Sequence, residues 1–318
     1  MDTDHAPIVG ASWAILATVC FTCVDVIIKF LSGDYPLYQI TFLRTLVAIT
    51  MVILVFTPLS GGYHQLKTKN LKVQLFRGGF VVLANLLFFT GLAALPLAEA
   101  VAIFFVSPML IAVFSVFFLR ETVGPRRWAA IAVGLLGVLI VMRPGSEAFQ
   151  IAALFPIGAA ACYAMLHILT RRIGTSDSAV SLVLYTQVVM MVVSVFAGFG
   201  FGHGEFNTFD HPSAAFLLRA WVWPTLFDGL LLLILGITIS IGGLAISVAY
   251  QRSDAAFIAP FEYIAMPLAV IGGIVVFAEF PDRIALAGIT LILASGLVLI
   301  WREAVARRKD RLDGPQRL

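Results

Sequence analysis

The chain of 318 residues is 60% hydrophobic and only 12% charged, with a mean hydropathy of +0.99. A soluble domain carries about 25% charged residues, so this composition excludes a soluble globular protein, and the abundance of Leu, Ile, Val and Phe excludes intrinsic disorder. The formal net charge of +3 is what a few basic loops on one side of a membrane produce, without a nucleic-acid role.

The segment from Met1 to Pro7 lacks the positive start of a signal peptide, and the apolar run after it is longer than a signal core, so the first helix is expected to stay in the protein. Apolar runs predict helices at about 8–31, 38–57, 73–93, 97–119, 128–142, 151–170, 179–199, 229–249, 255–277 and 284–301. The fold class is therefore an all-α polytopic membrane protein with ten transmembrane helices. Strands of a barrel would alternate in polarity instead. Most connections are short and carry turn signals, such as Gly124-Pro125-Arg126-Arg127. The exception is 200–228, Gly-rich and holding Phe201, Phe206, Phe209, Trp221 and Trp223, which suits an aromatic segment at the membrane interface.

Counting Lys and Arg in alternate connections places fifteen on one side and three, Arg143, Arg219 and Arg283, on the other. Cytoplasmic loops hold the excess, so both termini are expected in the cytoplasm. The three cysteines, Cys20, Cys23 and Cys162, lie in apolar runs and read as free packing thiols rather than a disulfide or metal site.

An internal repeat divides the chain. Cys20-Phe21 with Asp25 and Lys29 on helix one matches Cys162-Tyr163 with His167 and Arg171 on helix six, and Pro108 leading to Glu121 matches Pro267 leading to Glu279. The halves span 8–145 and 150–303, followed by a basic tail, 304–318. Five helices per half is an odd number, so the second half enters the membrane from the opposite face, giving two inverted five-helix repeats of the kind that build alternating access around a midplane site.

The run Leu95-Pro-Leu-Ala-Glu99 with Ser107-Pro108, Leu119-Arg-Glu121, Arg126-Arg-Trp128, and Gly134-Leu-Leu-Gly137 leading to Arg143-Pro144-Gly145 resembles an EamA-type half of the drug/metabolite transporter superfamily. The likeness is strong over 72–145 and looser in the second half, where Asp254-Ala-Ala and Glu279 are kept but Phe257 stands opposite Glu99. The resemblance implies a ten-helix carrier of the bacterial inner membrane, with a central cavity lined by helices one, three, four, six, eight and nine. It also implies cargo drawn from amino acids, related metabolites or cofactor-like molecules.

A charge at the centre of a membrane helix costs about 2.5–3.5 kcal/mol on insertion scales, so each needs a cavity, a partner or a route to the interface. Asp25 and Lys29 share a helical face, which allows an intrahelical pair, with Lys29 otherwise reaching the interface and Asp25 lining a cavity or gate. His167 holds the corresponding position on helix six and reads either as a packed core histidine or as a gating or binding group. Arg77 extends toward the basic loop, and Asn85 and Phe88 continue its face into the membrane. Arg44 is expected to brace the bundle, and Glu99 to complement the start of helix four.

Glu262 lies between Pro260 and Pro267 and beside Tyr263, where proline removes backbone donors and breaks the helix. An acid beside an aromatic ring at such a break suits a cationic or zwitterionic ligand, or a coupling proton. Phe105, Tyr163 and Tyr263 supply aromatic surface for the rest of the cargo. The expected partners are thus a small metabolite and the lipid bilayer, with proton coupling open and no cofactor, metal or nucleic acid.

The competing readings are a membrane sensor or assembly protein without flux, and an intramembrane enzyme. The second is disfavoured because the spans hold no H-E-x-x-H, no G-x-S-x-G and no P-loop.

Overall fold

A computed structural model describes residues 6–68, 70–120, 124–146, 149–173, 177–208, 210–252, 258 and 261–313. The protein is all helical over these residues. Helix α1 spans Ala6–Leu31, α2 Leu37–Met51, α3 Leu71–Leu92, α4 Leu97–Phe104, α5 Ser107–Leu119 and α6 Pro125–Met142. Then follow α7 Leu154–Ile173, α8 Ala179–Phe201, α9 Pro212–Leu218, α10 Leu226–Arg252, α11 Ala265–Phe277 and α12 Arg283–Asp313. Among the described residues, six helical stretches have the length and hydropathy to cross a membrane, and four shorter apolar helices accompany them.

Side chains are sorted in the manner a bilayer requires. Phe117, Phe196, Phe199, Val275 and Leu54 are exposed, whereas Arg44, Gln39, Gln74 and Gln187 are buried. Lipid, unlike water, offers polar groups no partner, so they turn inward or bond locally. The hydroxyls of Thr18, Thr45, Thr90, Ser194 and Ser240 each donate to the carbonyl one turn back on their own helix. Helix α2 widens into a π-helical turn at Val52–Phe56, where the Thr57 hydroxyl donates to Val52 O and Pro58 follows.

Packing is dominated by α1 against α10, α3 against α7, α6 against α12 and α2 against α8, with α4 against α11 at the centre. The α6–α12 contact is close, because Gly137 faces the Gly288 backbone and Gly288 faces Gly137 O, leaving no room for a side chain on either.

Hydrogen bonds tie the loops into two groups at opposite ends of α2. At its start, Tyr38 Oη donates to Arg219 O (2.6 Å), Gln39 exchanges two bonds with the backbone of Val222, and Trp221 stacks on Tyr38. Nearby, Tyr35 Oη donates to Asp228 (2.7 Å); desolvation, reinforced by that carboxylate, raises the Tyr35 phenol above its usual range. At the far end, Thr68 and Gln74 both donate to Asp177 (2.6 Å each), and Ser178, which caps α8, donates to Gln65 O.

Three expectations change in detail. The single helix expected over 97–119 is two, interrupted at Phe105–Val106. The aromatic segment 200–228 contains a short helix, α9, before a run that leaves Trp223 94% exposed. The last helix does not stop near 301 but continues to Asp313.

Candidate functional site

The centre of the bundle is organised by two helix interruptions. Between α4 and α5 the chain tightens to three-residue hydrogen bonds, Val106 N to Ile103 O and Met109 N to Val106 O. Before α11 it does the same, Ile264 N to Phe261 O and Met266 N to Tyr263 O. Pro108 and Pro267 both fall in the first turn of the helix that follows, where a missing N–H costs nothing. The breaks meet: the rings of Phe105 and Tyr263 lie 4.9 Å apart. Tyr263 is 3% exposed, its ring occupying the space left by Gly296 on α12, and its hydroxyl has no hydrogen-bond partner among the described residues.

Glu262 precedes this break and accepts a hydrogen bond from Tyr250 Oη of α10. It lies deep in the protein and is half-buried. Tyr163 on α7 is equally deep and half-buried, close enough to Glu262 to feel its charge, with its ring 5.5 Å from Phe104. Phe88 packs edge-on against Phe104 at 5.2 Å, so the aromatic wall runs from α3 through α4 to α7. Arg77 of α3 is half-buried; its charge also acts on Tyr163, and its Nη1 is buried with no partner among the described residues.

Farther along the same interior lies a second polar group. Arg44 is 1% exposed, donates through Nη2 to Asn85 Oδ1 (3.3 Å) and lies over the Phe89 ring at 5.7 Å. It thereby braces α2 against α3, through the side-chain carbonyl of an amide rather than a carboxylate. Asp25 is deep and half-buried, and Arg44 is the cation whose charge acts on it. Among the described residues Asp25 forms no ion pair, and in particular none with Lys29.

Lys29 is instead paired with Glu279 Oε1 at 2.8 Å and also donates to Leu95 O, so it neither joins Asp25 nor reaches out to the interface. Glu279 Oε2 accepts the first free N–H of α4, from Leu97, at 2.8 Å. The carboxylate that complements the start of α4 by hydrogen bonding is therefore Glu279, and Glu99, in the same first turn, makes no capping bond. Lys29, Glu279, Ala93, Leu95, Phe277 and Gln150 flank a cleft of about 530 Å³ at this end. Beside it Arg143 binds Asp282, and this bond, with the N–H of Ala285, holds the Asp282 carboxyl below the usual range.

The structure thus brings Tyr263, Phe105, Phe88 and Tyr163 into one chain of ring contacts through Phe104, with Glu262 next to Tyr263, and sets Asn85 beside Arg44, whereas Arg77 and Asp25 are linked to these groups only through their charge. His167 lies on α7, with its side chain outside the described residues, as are Glu121, Asp254, Phe257 and Pro260. Tyr250 was not singled out in the sequence: it stands twelve residues before Glu262 on another helix, and no local pattern marks that contact.

Residues 8–143 match the EamA-like transporter family. Over nearly the whole chain the protein is 30% identical to a protein of Rickettsia bellii named S-adenosylmethionine uptake transporter, covering 95% of this chain and 96% of that one. It is 27% identical to a riboflavin transporter of Vibrio cholerae, covering 98% and 100%. A solved crystal structure shares the fold with a TM-score of 0.63 at 18% identity, covering 97% of this chain and all of the other.

Proposed function

Because the chain belongs to the EamA-like transporter family, we propose that this small-metabolite membrane transporter moves a zwitterionic or cationic metabolite by alternating access through the cavity at Glu262. The observation that carries the reading is the pair of interrupted helices meeting at Phe105 and Tyr263, with a deep, half-buried carboxylate beside them. Broken helices are where membrane carriers expose polar backbone to cargo.

The six long and four shorter apolar helices support ten crossings, and the packing supports an exchange symmetry between the halves 8–145 and 150–303. Exchanging each helix with its counterpart five crossings away turns the α1–α10 contact into the α7–α3 contact, and leaves α2–α8 and α6–α12 unchanged. Arg120 and Ala278 end α5 and α11 in the same left-handed conformation, φ 56° and 54°. An odd number of crossings per half makes the repeats inverted. The basic tail, 304–318, and the fifteen-to-three loop asymmetry support a reading with both termini in the cytoplasm of a bacterial inner membrane.

In this scheme Glu262 holds the charged part of the cargo, Tyr163, Phe88 and Phe105 its ring or apolar part, and Tyr263 sets the break. Lys29 and Glu279 close the mouth near Asp25, with Glu99 adding charge beside them. His167, one turn from Tyr163 on α7, serves the opposite mouth.

The test is reconstitution of the purified protein in liposomes with labelled S-adenosylmethionine, riboflavin and amino acids. Saturable uptake of at least one compound, lost in Glu262→Ala, is expected. Leakage without saturation for the whole panel would remove the reading.

A further inference from the structure

We infer that the Glu279 carboxylate, the Leu95 carbonyl and the Phe277 ring form an ammonium-binding site, plugged by the tethered Lys29 side chain, that takes the N–H-bearing cationic end of a small organic ligand from the adjoining cleft when Lys29 withdraws. The site shares no residue with the Glu262 region, and only the withdrawal of Lys29 rests on the reading of this junction as a mouth.

Three different groups converge on one nitrogen. Lys29 Nζ is 2.8 Å from Glu279 Oε1, donates to Leu95 O and sits 5.3 Å from the centre of the Phe277 ring. A carboxylate, a carbonyl and an aromatic face supply what an ammonium ion needs once it leaves water: a countercharge, an acceptor for a second N–H and a wall that attracts cations.

These groups are held in position by bonds that do not involve Lys29. Glu279 N donates to Gly273 O (2.9 Å) and Ala278 N to Ile274 O (3.2 Å), with Ala278 in the left-handed conformation, so the end of α11 is closed on its own backbone. Glu279 Oε2 is fixed by the Leu97 N–H. Leu95 is 3% exposed and its N–H bonds to Gly91 O (3.0 Å), while Phe277 packs on the central core. Lys29 reaches in from α1 on a flexible stem, and the cleft of about 530 Å³ that it flanks extends over Phe30, Ser32, Val276 and Gln150. A site fixed by the ends of α4 and α11, whose occupant comes from a third helix beside an open volume, exchanges that occupant without being rebuilt.

The acceptors define the ligand class. Glu279 Oε1 and Leu95 O both accept from one nitrogen, which calls for a cation with more than one N–H, as in a primary ammonium. A quaternary ammonium or a sulfonium brings charge without donors, and an alcohol brings a donor without charge.

The test uses the full-length protein carrying Lys29→Ala, which removes the part of the side chain that propylammonium reproduces. Two readouts are taken: the thermal midpoint in detergent, and the maleimide labelling rate of a single cysteine at position 150 in a background lacking the three native cysteines. Lys29→Ala should lower the midpoint and speed labelling, and millimolar propylammonium should return both toward parental values. Propanol and tetramethylammonium should each be at least about tenfold less effective, as for one lost charge-assisted contact. Adding Glu279→Gln should abolish the recovery. If Lys29→Ala does not fold, Lys29→Met keeps the stem, and ammonium ion becomes the probe with sodium and tetramethylammonium as controls. No recovery with the N–H-bearing cation, or equal recovery with every solute, would overturn the site. Unchanged labelling at position 150 in Lys29→Ala would overturn the plug together with the mouth reading, while the midpoint still decides the ammonium site. The reading of Glu262 as the cargo group is decided separately, by flux in liposomes.

Discussion

Glu279 shows how one carboxylate can do work that sequence spacing assigned elsewhere. The four-residue interval between Asp25 and Lys29 allows an intrahelical pair, yet Lys29 goes to Glu279, 250 positions away, because that carboxylate also answers the open N-terminus of α4. Two demands met by one group outweigh a pair on a single helix, and neither demand is visible locally. The Lys29 and Glu279 side chains are 11% and 27% exposed, which places the pair between surface bridges of about 0–1 kcal/mol and buried pairs whose breakage costs about 3–5 kcal/mol. Glu279→Gln keeps an acceptor for Leu97 N–H and removes the charge opposite Lys29, so it is expected to cost about 1–2 kcal/mol. Glu279→Ala also uncaps α4 and should cost about 1 kcal/mol more. Thermal unfolding in detergent measures the difference, and equal midpoints for the two variants would show that the cap contributes nothing. Because these residues flank the cleft at Gln150, a cysteine placed there should react faster in Glu279→Gln than in the parent, as a closed mouth opens more often.

Elements were legible where hydropathy alone decides them, and less so where geometry does. The run Ala102 to Val106 is apolar throughout, with no Gly or Pro at the turn itself, so the α4–α5 interruption hides inside a helix-like pattern and only Pro108, two residues beyond, hints at it. Beyond Trp301 hydropathy falls, which ends a membrane span but not a helix: Ala, Arg, Lys, Glu and Leu dominate this stretch and all favour helix. Gly134 and Gly137 of α6 belong to the run that carries the family resemblance, but the close approach of Gly137 to Gly288 of α12 needs both helices and has no local mark. Gly288→Leu places a side chain against Gly137 O and Val141 and is expected to destabilise by about 1–3 kcal/mol or to abolish folding. Gly229→Leu, where nothing lies within 4 Å, is the matched control and should change little. Similar unfolding midpoints for the two would refute the close-packing account of α6 and α12. Gly296→Ala has a subtler effect, since its Cβ falls on the Tyr263 ring and displaces the residue that defines the second break. If that break shapes the cavity, transport should drop in Gly296→Ala more than thermal stability does.

At the scale of the whole molecule, the distribution of charge bears on orientation, which packing alone does not. The helices would pack equally well in either sense across a bilayer, and the two loop groups at the ends of α2 are both held by ordinary hydrogen bonds. What differs is cationic content: fifteen Lys and Arg in one set of loops and the tail, against three in the other. The inside-positive bias acts during insertion and is counted in short loops, and most of this imbalance lies in such loops. Lys67 belongs to the basic set, and Asn207 lies between α8 and α9 in the other. Removing Cys20, Cys23 and Cys162, all free thiols, and placing single cysteines at 67 and 207 allows the sides to be read with a membrane-impermeant maleimide. Position 207 should label in intact cells and position 67 only after permeabilisation. A cysteine at Gln150, in the cleft beside Lys29 and Glu279, should follow position 207, because that cleft lies at the less basic end. Labelling of 67 and 207 from the same side would break the even crossing number and with it the inverted repeat. Labelling from opposite sides, but with 67 outside, would keep the fold and reverse the direction in which the Lys29–Glu279 mouth faces.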